Sequence, residues 1–287
     1  MASKPAFQRT LQSLPATLSM GLALAFGTTA TAQADTTLDK IQSRNSVTIG
    51  VLINGGPFGS IEPGSQRFIG WNPELARQLA RDLGVQAELV QVQPSNRVQF
   101  LQSGKVDLLI ASMELTDSRA EILGYAPTPF YRVGGVAIAP AGSTIQSWED
   151  LRGQPVCLSQ GSNYAQPLTT QYGAQVKGFR GSPESLLALK GGNCVAAVHD
   201  ATLLHPLVRT NPDWQGYKVA LADELIPSPS VVWTRKGEND TAAAIDRIIQ
   251  DWHRTGWLIE TEQRLGIAPA SPALVELHAQ FKDSAPQ

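Results

Sequence analysis

Short apolar runs of strand character alternate with amphipathic helical stretches along most of this chain, and that alternation admits few folds besides an α/β arrangement with parallel strands. Residues 46–53 (SVTIGVLI) form the first expected strand. Asn72 then offers a helix N-cap and Pro73 suits the first helical position. Leu75, Ala76, Leu79, Ala80 and Leu83 mark one buried face before Gly84 ends the helix. Residues 87–92 read as a second strand, 98–103 as a short helix closed by Gly104, and 106–111 as a third strand. Together they make a βαβαβ unit.

A second unit of the same kind begins after Gly134 with the extended run 136–139 (VAIA). A Gly/Ser/Thr loop follows, and Leu151-Arg152-Gly153 closes a short helix. Strands at 155–159 and 194–199 flank a helical segment over 183–190. The apolar run 230–234 (SVVWT) then precedes a long amphipathic helix over 241–254, with Ile245, Ile248, Ile249 and Trp252 on one face. Extended runs on both sides of the second unit predict that the chain crosses to a second lobe and returns. Lobe 1 is expected over 35–136 and 231–287, and lobe 2 over 137–230. A ligand would sit between them, where strand C-terminal ends meet helix N-termini.

The first 34 residues read as a cleaved signal peptide. Lys4 and Arg9 give a weakly basic start, 18–26 is apolar, and Ala32-Gln33-Ala34 is a small-residue cleavage pattern. The apolar run is far short of the roughly 20 residues a membrane-spanning helix needs, and no cysteine marks a lipid anchor at the cleavage point. No later segment has the uninterrupted apolar length to span a membrane, so a released periplasmic protein is expected. Losing Lys4 and Arg9 with no acid lowers the formal net charge of −2 by two. Such a chain lacks the basic surface that nucleic-acid binding requires. The four histidines show no metal-ligand spacing, and two cysteines without a neighbouring histidine cluster make a poor metal site. Neither cofactor nor metal is expected.

Several stretches resemble one family. LDKIQSRNSVTIGV, PFGSIEPGSQRFIGWNPELARQLARDLG and SNRVQFLQSGKVDLLIASMELTDSRAEILGYAPTPFY are similar, in order, to the family 3 extracellular solute-binding proteins of polar amino acid ABC importers. WEDLRGQPVCLSQGSN and LLALKGGNCVAAVHD resemble that family's second lobe. The resemblance covers nearly the whole mature chain. It implies a two-lobed type II periplasmic binding protein fold, each lobe a mainly parallel sheet flanked by helices, with two hinge crossings. It also implies capture of an L-amino acid, polar and neutral or acidic, delivery to an inner-membrane ABC permease, and action as a monomer.

Candidate site residues follow from the sequence and the resemblance together. In TDSR, Thr116 is a plausible N-cap that puts Arg119 in the first turn of a short helix, where a guanidinium beside free N–H groups suits a carboxylate. A surface ion pair is the plainer role for such an arginine. The resemblance implies that Arg119 holds the ligand α-carboxylate and that Ser112 meets it as well. Gly161-Ser162-Asn163 follows a strand and opens a helix, so its amides can complete that carboxylate site, Asn163 departing from the family's usual Thr or Ser. Asp200 matches the family's ammonium-binding acid, with a helix N-cap as its plainer role. Arg97 stands where acidic-ligand binders often carry an arginine, though relatives of other specificity carry it too. Leu52, Gly55 and Pro94 replace the acid or stacking aromatics of basic- and aromatic-ligand binders.

Glu114 departs from the family's Ser or Thr. It can flank the ligand ammonium with Asp200, pair with Arg97 or Arg119, or be protonated by crowding against a second acid; pairing is the expectation, because unpaired buried charges each carry a desolvation cost. Cys157 and Cys194 fall on expected neighbouring strands, in places where some general amino acid binders carry cysteines, and an oxidising compartment permits a bridge; two buried thiols are the alternative. The same fold also hosts a periplasmic dehydratase acting on a cyclohexadienyl amino-acid precursor, in which Glu114 would be a general acid. A third reading is the ligand-sensing lobe pair of a receptor or cell-wall lytic enzyme.

Overall fold

A computed structural model describes residues 36–267 and 271–285. The expected signal peptide lies outside the described residues. In chain order the elements of the first half are α1 (Thr36–Arg44), β1 (Ser46–Leu52), β2 (Ser60–Ile61), β3 (Phe68–Ile69), α2 (Trp71–Asp82), β4 (Gln86–Val92), α3 (Arg97–Gln102), β5 (Leu108–Ile110), α4 (Asp117–Ile122) and β6 (Leu123–Tyr125). They continue with β7 (Tyr131–Pro140), β8 (Pro155–Ser159), α5 (Ala165–Thr170), β9 (Gln175–Phe179), α6 (Ser182–Lys190), β10 (Ala196–Asp200) and α7 (Ala201–Thr210). The last are β11 (Tyr217–Ser230), β12 (Trp233–Arg235), α8 (Asn239–Thr255), α9 (Trp257–Arg264) and α10 (Pro272–Phe281).

Two five-stranded sheets organise two α/β lobes. The first has the order β4-β1-β5-β12-β6 and the second β11-β7-β10-β8-β9. β1 lies at the heart of the first sheet, parallel to β4 on one side and β5 on the other. Val47, Ile49, Val51 and Leu52 are buried there, as a near-continuous apolar run requires when both faces are covered. In the second sheet β8 is parallel to β9 and β10. The parallel character holds for three strands in each sheet. The remaining strands pair antiparallel: the chain passes from β6 in the first sheet into β7 of the second, β11 runs back beside β7, and β12 rejoins the first sheet against β5 and β6.

Strand β11 was not legible in the sequence, since YKVALADELIPSPS contains Pro227 and Pro229 and no clean alternation. It is an edge strand of its sheet, beside β7 with three register shifts, and an edge tolerates the missing proline donors. Helix α2 starts at Trp71 rather than after Asn72: Gly70 precedes it at φ 105°, and Asn72 is buried with its side chain engaged elsewhere. Helix α8 buries Ile245, Ile249 and Trp252 as its periodicity predicts and ends at Gly256 in the left-handed conformation. Cys157 on β8 and Cys194, two residues before β10, form a disulfide with Cα atoms 5.7 Å apart. The register that puts Ala196 beside Val156 brings them together. Among the described residues no helix is long and apolar enough to cross a membrane.

Candidate functional site

The parallel strands of both sheets end at one cleft. Leu52 closes β1, Pro94 follows β4, and Ser112 and Glu114 follow β5; from the other lobe Ser159 closes β8, Ser182 follows β9 and Asp200 closes β10. These residues, with Asn54, Arg97, Ser162, Asn163, Tyr164, His199 and Leu203, line a nearly closed cavity of about 30 Å³. That is room for one or two waters, so a ligand enters only when the lobes part. The lobes touch closely beside it. Gly161 has φ +85°, and a Cβ there would stand 2.5 Å from the Pro94 carbonyl oxygen, so only glycine permits this approach.

On the first lobe, Ser112 turns the chain out of β5 with φ +44°, a left-handed conformation that costs a non-glycine residue about 1–2 kcal/mol. Asn72 holds it there, its Nδ2 donating to Ser112 Oγ at 3.1 Å. Arg97, the first residue of α3, is buried and donates from Nη1 to the Ala111 carbonyl at 2.8 Å. Among the described residues it forms no ion pair. Thr116 caps α4 as expected, its hydroxyl accepting from the Arg119 amide. That short helix aims Arg119 back at its own approach. Nη1 donates to the Glu114 carbonyl at 2.7 Å and to Glu114 Oε2 at 3.1 Å, while Nη2 donates across the cleft to the Gly161 carbonyl at 3.1 Å.

On the second lobe, the turn after β8 spends part of its amide supply internally. Ser162 N donates to the Ser159 carbonyl, and Tyr164 N donates to Ser162 Oγ. Gly161 contributes a carbonyl rather than an amide. Asp200 occupies the N-cap position of α7 but makes no capping bond with its side chain. Instead Asp200 Oδ1 accepts from the Tyr164 hydroxyl at 2.8 Å, and the same hydroxyl lies 3.4 Å from Glu114 Oε1.

Enclosure and like charge set the electrostatics. Burial, then the Glu114 carboxylate, push Asp200 up to about 7, opposed by the Tyr164 hydrogen bond and by Arg97. Burial, then the Arg119 charge, lower Arg97 to about 10, which leaves it cationic at neutral pH. Burial, with the charges of Asp200 and Glu114, holds the Tyr164 hydroxyl well above its ordinary value. His199 is pushed down to about 3 by burial alone and bonds Ser185 Oγ at 2.8 Å through Nε2. It is a neutral wall.

Six of the seven residues singled out in the sequence line this cavity: Arg97, Ser112, Glu114, Ser162, Asn163 and Asp200. Arg119 does not. It stands behind Glu114 and lines an adjoining surface groove with Thr116, Gly161 and Gln166. Of the two arginines open to Glu114, the ion pair forms with Arg119 and not with Arg97. Sequence reasoning passed over Tyr164, Asn54, Ser182 and His199. Tyr164 left one trace, the paired glycines at 134 and 135: a Cβ on Gly135 would come within 2.9 Å of the Tyr164 ring.

Comparisons with known proteins point to one family. Residues 47–265 match the family model described as bacterial extracellular solute-binding proteins, family 3. The chain is 28% identical over 244 residues to the L-cystine-binding protein TcyJ of Escherichia coli (strain K12), covering 83% of this chain and 90% of that one. It is 26% identical over 225 residues to the ABC transporter glutamine-binding protein GlnH of Bacillus subtilis (strain 168), covering 77% and 81%. Among solved structures, the solute receptor for L-cysteine of Neisseria gonorrhoeae superposes with a TM-score of 0.76 at 26% identity, covering 83% of this chain and 98% of that one.

Proposed function

The chain belongs to the bacterial extracellular solute-binding proteins of family 3, and from that premise we propose that it captures a small polar L-amino acid between its lobes and passes it to an inner-membrane ABC permease. The observation that carries the reading is the charge layout of the cavity. Arg97, which lines the cavity, stays cationic at neutral pH and forms no ion pair among the described residues, is the cationic side for the ligand carboxylate. Asp200 and Tyr164 form an acidic side for its ammonium. Glu114 neutralises Arg119, so the set is matched to one zwitterion rather than to an extra side-chain charge.

The ligand side chain then meets neutral groups. Among the described residues Asn54 Oδ1, Asn163 Nδ2 and Ser182 Oγ are buried without a hydrogen-bond partner, and each of these residues lines the cavity beside Leu52, Pro94 and Leu203. Buried polar atoms without partners are costly, and a hydroxyl, thiol or carboxamide on the ligand would satisfy them. Relatives are named for glutamine, cystine and cysteine but also for arginine, histidine and glutamate or aspartate, so the neutral lining of the cavity carries the choice. The long antiparallel ribbon of β7 and β11 is the hinge of this reading, with the lobes dividing near 136–137 and 230–231.

A thermal-shift screen of the chain without residues 1–34 against the common L-amino acids tests it. A ligand at a hundredfold its dissociation constant stabilises by about 2.7 kcal/mol, which raises the midpoint by roughly 5–10 °C for a chain of this size. A polar neutral amino acid is expected to give the largest shift. No shift with any amino acid sinks the reading.

A further inference from the structure

We propose that Tyr164 is a specificity-determining residue: its hydroxyl, lodged between the Glu114 and Asp200 carboxylates of opposite lobes, links an acid pair that exchanges one proton for one ligand ammonium and sets the pH at which it does so. The inference rests on the amino-acid reading above and adds a residue and a linkage to it.

The argument starts from hydrogen-bond arithmetic. A phenol has one proton to give, and here two carboxylates compete for it, Asp200 at 2.8 Å and Glu114 at 3.4 Å. Glu114 is otherwise supplied by Arg119 at 3.1 Å, so the phenol proton goes to Asp200. Among the described residues no side-chain nitrogen donates to Asp200, and its other side-chain partner is the Glu114 carboxyl, which pushes its pKa up. Arg97 on α3 acts on it through space, Arg119 on α4 is spent on Glu114, and His199 on the same strand faces Ser185. When the lobes meet without a cation between the acids, the cheapest relief of the like-charge contact is a proton on Asp200. Asp200 can then donate to Tyr164 and Tyr164 to Glu114, a chain that needs no atom to move far. An arriving ammonium replaces that proton, which leaves to the solvent, and the carboxylate left behind binds the cation.

The ring is held for this task. Tyr164 is buried, and Gly135, which pairs with Asp200 across β7 and β10, is the only residue that leaves room for its face. A ligand without a cationic group has nothing to exchange for the Asp200 proton. The selection is therefore for an ammonium.

Carbon-13 titration of the Asp and Glu carboxyls in the ligand-free protein, with Asp200 assigned from the Asp200→Asn spectrum, reads the device directly. Asp200 is expected to titrate near 7. Tyr164→Phe removes the hydrogen bond and moves that midpoint up, and Glu114→Gln removes the opposing charge and moves it down. An Asp200 midpoint in the ordinary carboxylate range, or one that neither variant moves, overturns the proposal. Calorimetry with L-glutamine in two buffers of different ionisation enthalpy reads the exchange: close to one proton released at about pH 6, with affinity rising about tenfold per pH unit below the midpoint. Binding without proton release overturns it. If L-glutamine gives no heat while the carboxyl midpoints move as stated, the ligand reading falls and the role of Tyr164 stands.

Discussion

Arg119 reaches Glu114 twice, through the main-chain carbonyl at 2.7 Å and the carboxylate at 3.1 Å, and spans the cleft to Gly161 with its other nitrogen. Both side chains are almost fully enclosed, at 11% and 3% exposure. A buried pair of this kind is sensitive to removal of one partner.

Arg119→Ala should therefore leave an uncompensated buried carboxylate and cost about 3–5 kcal/mol of stability. Arg119→Met combined with Glu114→Gln should recover much of that loss, since neither charge remains. Urea unfolding of the single and double variants gives the coupling energy. Additive effects, or a single-variant cost under about 1 kcal/mol, would mean the two charges are solvated independently.

Glu114→Gln keeps the side-chain shape and frees the charge of Arg119 beside Arg97. The ratio of L-glutamate to L-glutamine affinity should rise about tenfold, equivalent to about 1.4 kcal/mol. Dissociation constants for both ligands and both proteins decide the matter. Equal weakening of the two ligands would assign Glu114 to the ligand ammonium instead.

His199 links stability to pH. Its folded value of about 3 lies below the ordinary 6.5 of an imidazole, so below 6.5 the unfolded chain binds a proton that the folded chain refuses. The stabilisation is complete above that value and is lost at about 1.4 kcal/mol per pH unit on the way down toward 3. His199→Gln should flatten this part of the profile between about pH 6 and pH 4, as measured by urea midpoints. An unchanged slope in the variant would place the acid sensitivity elsewhere.

The disulfide closes a sequence separation of 37 residues, and loop-closure entropy at that length corresponds to about 3–4 kcal/mol. Replacing Cys157 and Cys194 by serine should lower the unfolding free energy by about 2–4 kcal/mol. Mass spectrometry of the unreduced protein should find the pair two hydrogens lighter than the reduced form. Full labelling by a thiol reagent after denaturation without reductant would exclude the bridge.

Local chemistry carried the sequence a long way. The apolar run of β1, the buried face of α8 and the Thr116 cap of α4 are short-range patterns, each set by residues within one or two turns of one another, and the structure has them where the pattern puts them. The order of units likewise brought Arg97, Ser112, Glu114 and Asp200 to strand ends facing one cleft. What the sequence left open is which of these groups meet. Glu114 is set by a main-chain bridge to Ser230, on the strand returning from the second lobe, and its choice of Arg119 over Arg97 depends on that placement. Tyr164 gained its position between two acids only because Gly135, in another strand, makes room for its ring. Pairings over such separations depend on how two lobes close and on which buried charges must be compensated there. Those are energies of the assembled cleft, and only the tertiary structure could decide them.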